Sequence, residues 1–183
     1  MLDPLVLKLL SIGFGLLLLL AAVHKLTALP KFRATLTAYE IMPGALIAPA
    51  SILVPIVEAL LGAAWLFNIA PTLVAMTTAA LLGSYLFAIA INLLRGRIHI
   101  DCGCTMGAAA GRDQQLSWGL VARNSILILV ALTATVPTTE RIIGLVDYVT
   151  LVAGLLAIVL LYGAANQLLN NSAAIGTWRN RHD

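Results

Sequence analysis

The chain has 183 residues, 61% hydrophobic and 10% charged, with a mean hydropathy of +0.98. Soluble domains carry about 25% charged residues, so this composition excludes a water-soluble enzyme, a disordered tail and a nucleic-acid-binding domain. The net charge is only +3, and the pI near 9.1 reflects few acids rather than a basic patch.

A membrane-crossing helix needs about 20 mostly apolar residues. Five stretches qualify: residues 5–23, 45–67, 72–94, 116–136 and 142–163. The predicted fold is therefore an all-α integral membrane protein, one compact bundle of transmembrane helices. A polar C-terminal tail follows over residues 164–183, mobile from residue 170 on. The first span has no basic segment ahead of it and runs into Val23-His24-Lys25 rather than a small-residue cleavage site. It reads as a retained helix and not a signal peptide.

Leu29-Pro30 ends the first helical region and Pro43-Gly44 precedes the second span. Between them, residues 31–42 interleave Phe32, Leu36, Tyr39 and Ile41 with Lys31, Arg33 and Glu40. That pattern suits a short amphipathic helix on the membrane surface, or an ordinary loop. Pro71 marks a tight link between spans two and three, and Pro137 closes the fourth. Gly13, Gly15, Gly62, Ala63, Ala75, Ala79, Gly83, Gly154 and Ala157 are the small residues through which helix backbones can approach in lipid. Trp65 and Trp118 are expected at the membrane interfaces.

Ionisable residues inside spans are costly and rare. Glu58 falls near the middle of span two, three residues after Pro55. It is either a proton acceptor beside a redox or quinone site, or a structural partner for Arg123 or another bundle residue. Lys25 ends span one and reads as an anchor that snorkels to the interface. Asp147 enters span five near Arg141 and is expected at the interface. No nucleotide-binding loop, zinc-protease motif or haem-attachment motif is present, so hydrolysis and phosphoryl transfer have no support.

The chain's two cysteines form Cys102-Gly103-Cys104, a spacing that chance would give about one time in a hundred. They sit in RGRIHIDCGCTMG, directly after span three. A Cys-x-Cys disulfide ring is strained, which favours exchange over a structural role. Arg95, Arg97 and a protonated His99 would stabilise a thiolate, whereas Asp101 would oppose it. Three readings stay open: a dithiol/disulfide exchange site; a soft-metal or transport site, with Met106, His99 or Glu58 completing the ligands of Cys102 and Cys104; or a noncatalytic scaffold with inert thiols.

Arg95-Gly96, then Ile100-Asp101-Cys102-Gly103-Cys104 and Gly107, resembles the signature of the MauE family of methylamine-utilisation membrane proteins. These belong to a broader MauE/DoxX redox-associated group, which implies a four-helix DoxX-like core plus one helix. Lys25-Leu26, Tyr39, Pro43, Glu58, Asn92 and Arg123-Asn124 agree with the family layout over most of residues 5–125. Thr105 and Met106 separate Cys104 from Gly107, one residue more than the expected pattern. The resemblance implies an accessory role in maturing a disulfide-rich client such as methylamine dehydrogenase, through a thioredoxin-like, MauD-like partner outside the cytoplasm. Cys102 and Cys104 would be the reacting pair, with Glu58, Asn92, Arg95 and Arg123 in support and a quinone as a conceivable second carrier.

Orientation sets two arguments against each other. Loops one and three and the tail hold eight basic residues, against Lys8 and Arg141 on the other side. The positive-inside rule then puts the cysteine loop in the cytoplasm. A disulfide client needs it on the outer face of the plasma membrane, which is the placement expected here.

Overall fold

The computed structural model describes residues 2–97, 116–139, 141 and 144–179; at 166 and beyond 168 the description is of the backbone alone. The segment holding His99, Asp101, Cys102, Cys104 and Met106 lies outside the described residues. The described chain is helical apart from a single β-bridge between Leu2 and Thr138.

Helix α1 spans Pro4–Thr27. It starts where Asp3 caps the first turn, its side chain accepting a hydrogen bond from the Leu5 amide at 2.8 Å, with Pro4 at the first helical position. Helix α2 spans Leu29–Tyr39 and α3 spans Gly44–Leu66. Helix α2 begins two residues earlier than the sequence suggests, because Pro30 falls in its first turn, where the missing amide costs nothing. Helices α4, Pro71–Leu94, and α3 are joined by a tight link in which Asn68 and Ala70 take left-handed backbone angles. Helices α5, Trp118–Thr133, and α6, Leu145–Arg179, complete the chain. Among the described residues, α1, α3, α4 and the first 21 residues of α6 are long and apolar enough to cross a bilayer, and α5 is a shorter apolar helix.

Two tight pairs make the bundle. Helix α1 packs along α3 and α4 packs along α5, whereas α3 and α4 touch sparsely although they are neighbours in sequence. The α1–α3 contact is close because Gly15 faces Gly62. A methyl group on Gly62 would lie 2.9 Å from Leu19 Cγ and 3.0 Å from the Gly15 carbonyl oxygen. Lipid supplies no hydrophobic drive, so this close backbone approach is what holds the pair. Gly13 and Gly83 have open space instead and do not serve as contact points.

The two pairs meet through side chains. Phe14, Leu18, Trp65, Val74, Ala75, Leu82, Ala131 and Ala134 form the main apolar core. Trp65 is not the interfacial anchor expected from its place near a span end. It is buried, stacks on Phe14 at 5.3 Å between ring centroids, and donates its indole N–H to Thr78 Oγ1 at 2.9 Å. Trp118 is exposed.

The last helix does not stop at the end of the fifth predicted span. No proline interrupts residues 145–179, and the helix runs on as α6 to Arg179. At the end of the bundle away from loop three, Arg141 bridges Asp3, at 3.7 Å, and Asp147. This fixes the start of α6 beside the start of α1, and Leu9 of α1 lies against Gly154 of α6.

Candidate functional site

Three helices bring one charged cluster into the bundle. Lys25 of α1 is 3% exposed and Glu58 of α3 is 1% exposed. The Lys25 ammonium donates to Glu58 Oε1 in a buried ion pair. Tyr85 of α4 donates its hydroxyl to the same oxygen at 2.7 Å. The ammonium also faces the rings of Tyr85, at 4.9 Å, and Phe32, at 5.5 Å. Phe32 is a buried residue of α2, so α2 roofs the cluster.

This corrects two sequence expectations. Lys25 does not snorkel, because α1 ends at Thr27 and α2 folds back over that end, closing the path to the interface. Side chains on a helix lean toward its N-terminus, which here is toward the bundle interior. Arg123 is not the partner of Glu58; its guanidinium stands 6.0 Å from the ring of Tyr162 on α6. Tyr85 was missed altogether, since a lone tyrosine in an apolar run carries no signal of its own. The signal that could have found it was the need of Glu58 for donors.

The hydrogen bonding of Glu58 is lopsided. Oε1 takes two donors, while Oε2 is buried and has no partner among the described residues. An unpartnered buried acceptor costs about 1–3 kcal/mol, and more when charged. Asn92, on the same stripe of α4 as Tyr85, is fully buried; its amide donates to the Ala88 carbonyl at 3.0 Å and its Oδ1 likewise lacks a partner among the described residues. Asn124 of α5 is buried and donates to the Leu120 carbonyl at 3.1 Å.

The two stems of the cysteine loop are held by the end of α2. Tyr39 packs with Ile89 of α4, with Leu116 just ahead of α5 and with Leu120 in its first turn. Glu40, in a left-handed conformation at φ 47°, ends α2. Arg97 Nη2 donates to Glu40 Oε2 at 2.6 Å, and Arg95 Nη1 reaches the Glu40 carbonyl at 3.5 Å. The hydrogen bond and charge of Arg97 hold the Glu40 carboxyl below the usual carboxylate range. Arg95 and Arg97, expected beside a thiolate, thus both engage Glu40, and Arg97 has its charge matched there. Among the described residues no cluster of three or more His, Cys, Asp or Glu could hold a metal.

Residues 3–137 match the family described as methylamine utilisation protein MauE. The chain is 34% identical over 182 residues to the methylamine utilization protein MauE of Paracoccus denitrificans, covering 94% of this chain and 96% of that one. It is 32% identical over 152 residues to the Paracoccus versutus protein of the same name, covering 81% and 78%, and 40% identical over 102 residues to that of Methylophilus methylotrophus, covering 56% and 54%. No solved structure matches the chain. A multi-pass helical membrane protein that matches the family over residues 3–137 and the Paracoccus denitrificans relative almost end to end, this chain belongs to the MauE family of the methylamine utilisation system.

Proposed function

We propose that the protein is a membrane thiol–disulfide redox accessory factor in which Cys102 and Cys104 cycle between dithiol and disulfide. A thioredoxin-like partner docks at the cysteine loop and exchanges through a mixed disulfide. The outcome is maturation of a disulfide-rich client such as methylamine dehydrogenase. The observation that carries this reading is that the chain's only cysteines stand one glycine apart in a family tied to methylamine utilisation. The clasp of Arg95 and Arg97 on Glu40, with Tyr39 between the loop stems, supports it by giving the loop a fixed base.

The chemistry follows from exchange. A thiolate of the reduced partner attacks the Cys102–Cys104 disulfide, a mixed disulfide forms and one cysteine leaves as a thiolate. The partner's second thiolate then attacks the mixed disulfide, so the partner departs with its own disulfide closed and Cys102 and Cys104 are left as a dithiol for the second carrier to reoxidise. An extracytoplasmic loop in the plasma membrane puts this exchange where disulfides persist.

Trapping tests the reading. Cys102→Ser or Cys104→Ser should accumulate a mixed disulfide with a thioredoxin-like protein, resolved by non-reducing electrophoresis. If neither variant traps a partner and the double variant matures its client normally, the reading is wrong. A membrane-impermeant maleimide on intact cells should label the reduced pair; labelling only after permeabilisation would refute the extracytoplasmic placement.

A further inference from the structure

We propose that Lys25, Glu58 and Tyr85 form the head-group site for a lipid-soluble quinone, the second carrier that the thiol chemistry needs. The assignment rests on the redox reading above, but its geometry is independent of the cysteines.

Four observations converge. First, Glu58 Oε2 is a buried acceptor without a donor among the described residues, although its twin oxygen has two. Such an atom is satisfied by a guest that brings its own O–H. Second, an ammonium stands beside that carboxylate. A hydroquinone hydroxyl can donate to Oε2, and the same oxygen in the quinone state can accept from Lys25. One pair of side chains therefore serves both redox states of one guest oxygen. Third, the ion pair carries no net charge, so a neutral guest leaves the electrostatics of the bundle unchanged, and the rings of Tyr85 and Phe32 flank the ammonium. Fourth, Glu58 and Tyr85 meet across the α3–α4 contact, the sparse seam between the two tight helix pairs. A guest dissolved in the bilayer enters through side chains there, without breaking the glycine contact of α1 with α3.

The stoichiometry closes. Two thiols of Cys102 and Cys104 lose two electrons and two protons as their sulfurs bond. The quinone takes up both electrons and both protons and leaves as hydroquinone. The roles assigned to this chain's residues are Glu58 Oε2 as acceptor, Lys25 as donor and Tyr85 as the group that orients the carboxylate.

The test is binding, not turnover. Full-length protein in lipid nanodiscs is titrated with a short-chain benzoquinone and, separately, with its hydroquinone, by equilibrium dialysis. Wild type and the Cys102→Ser, Cys104→Ser double variant should both bind at one saturable site. The Lys25→Met, Glu58→Met double variant, which removes both charges together, should lose about tenfold or more in affinity for each form. Tyr85→Phe should weaken binding severalfold. Thermal unfolding verifies that each variant is folded, and should the Met pair not fold, Tyr85→Phe decides. Absence of saturable binding to wild type, or unchanged affinity in the folded variants, overturns the proposal. Failure of the thiol reading shows elsewhere: the cysteine variant would then support normal client maturation while still binding the quinone.

Discussion

Removing one charge from the Lys25–Glu58 pair should hurt far more than removing both. Breaking a buried ion pair leaves the survivor uncompensated and costs about 3–5 kcal/mol, whereas replacing both charges with apolar residues of similar volume is often neutral or stabilising. The two single variants should differ. After Lys25→Met, Glu58 keeps the Tyr85 hydroxyl at 2.7 Å. After Glu58→Met, Lys25 keeps, among the described residues, only the ring faces of Tyr85 and Phe32, at 4.9 and 5.5 Å. Lys25→Met should therefore fall near the lower end, about 3 kcal/mol, Glu58→Met should cost more, and the double variant should lie within about 1 kcal/mol of wild type. The measurement is reversible unfolding in mixed detergent micelles, followed by circular dichroism and by the fluorescence of buried Trp65. A double variant whose loss equals the sum of the two single losses, within about 0.5 kcal/mol, would refute the reasoning.

Other residues give sharper local tests. Gly62→Ala should destabilise by about 1–3 kcal/mol, because the added methyl meets backbone atoms of Gly15 and Leu19 that cannot swing aside; Gly83→Ala, with open space around it, should cost nothing in the same unfolding assay. Thr78→Val should cost about 1–3 kcal/mol by stranding the buried indole N–H of Trp65, and Trp65→Phe with Thr78→Val should recover part of that loss. Because the folded Glu40 carboxyl is held low by Arg97, its clasp is fully present above the ordinary carboxylate range and is lost as pH falls through the depressed folded value. Protease cleavage within residues 98–115 should accelerate across that window, and Glu40→Gln should show the faster cleavage already at pH 7.

Much of the architecture was legible because lipid imposes it. Runs of about 20 apolar residues can only be spanning helices, and Pro71 and the small residues of α1 and α3 mark a tight link and a close contact. Which glycines meet was not legible: Gly15 and Gly62 touch, while Gly13 and Gly83 do not, and only the crossing of helices decides. Glu58 was recognised by its cost in the membrane. Its partners were hidden, since Lys25 near a helix end carries the pattern of a snorkelling anchor until α2 is seen folded over it. Trp65 was misplaced for the same reason, as sequence position reports distance from a span end but not which side of the helix faces the core. The cysteine loop was legible as chemistry alone, from residue types and spacing.

The length of α6 has a further consequence. Its start is tied to that of α1 by Arg141, so the two run in the same direction, and α1 ends after 24 residues while α6 continues for 35. Measured from the level where Leu9 of α1 meets Gly154 of α6, at about 1.5 Å per residue the last helix outreaches the first by about 10 Å. It therefore stands as a mast beside the deck from which the cysteine segment emerges, and any visitor that berths on that segment has to fit alongside it.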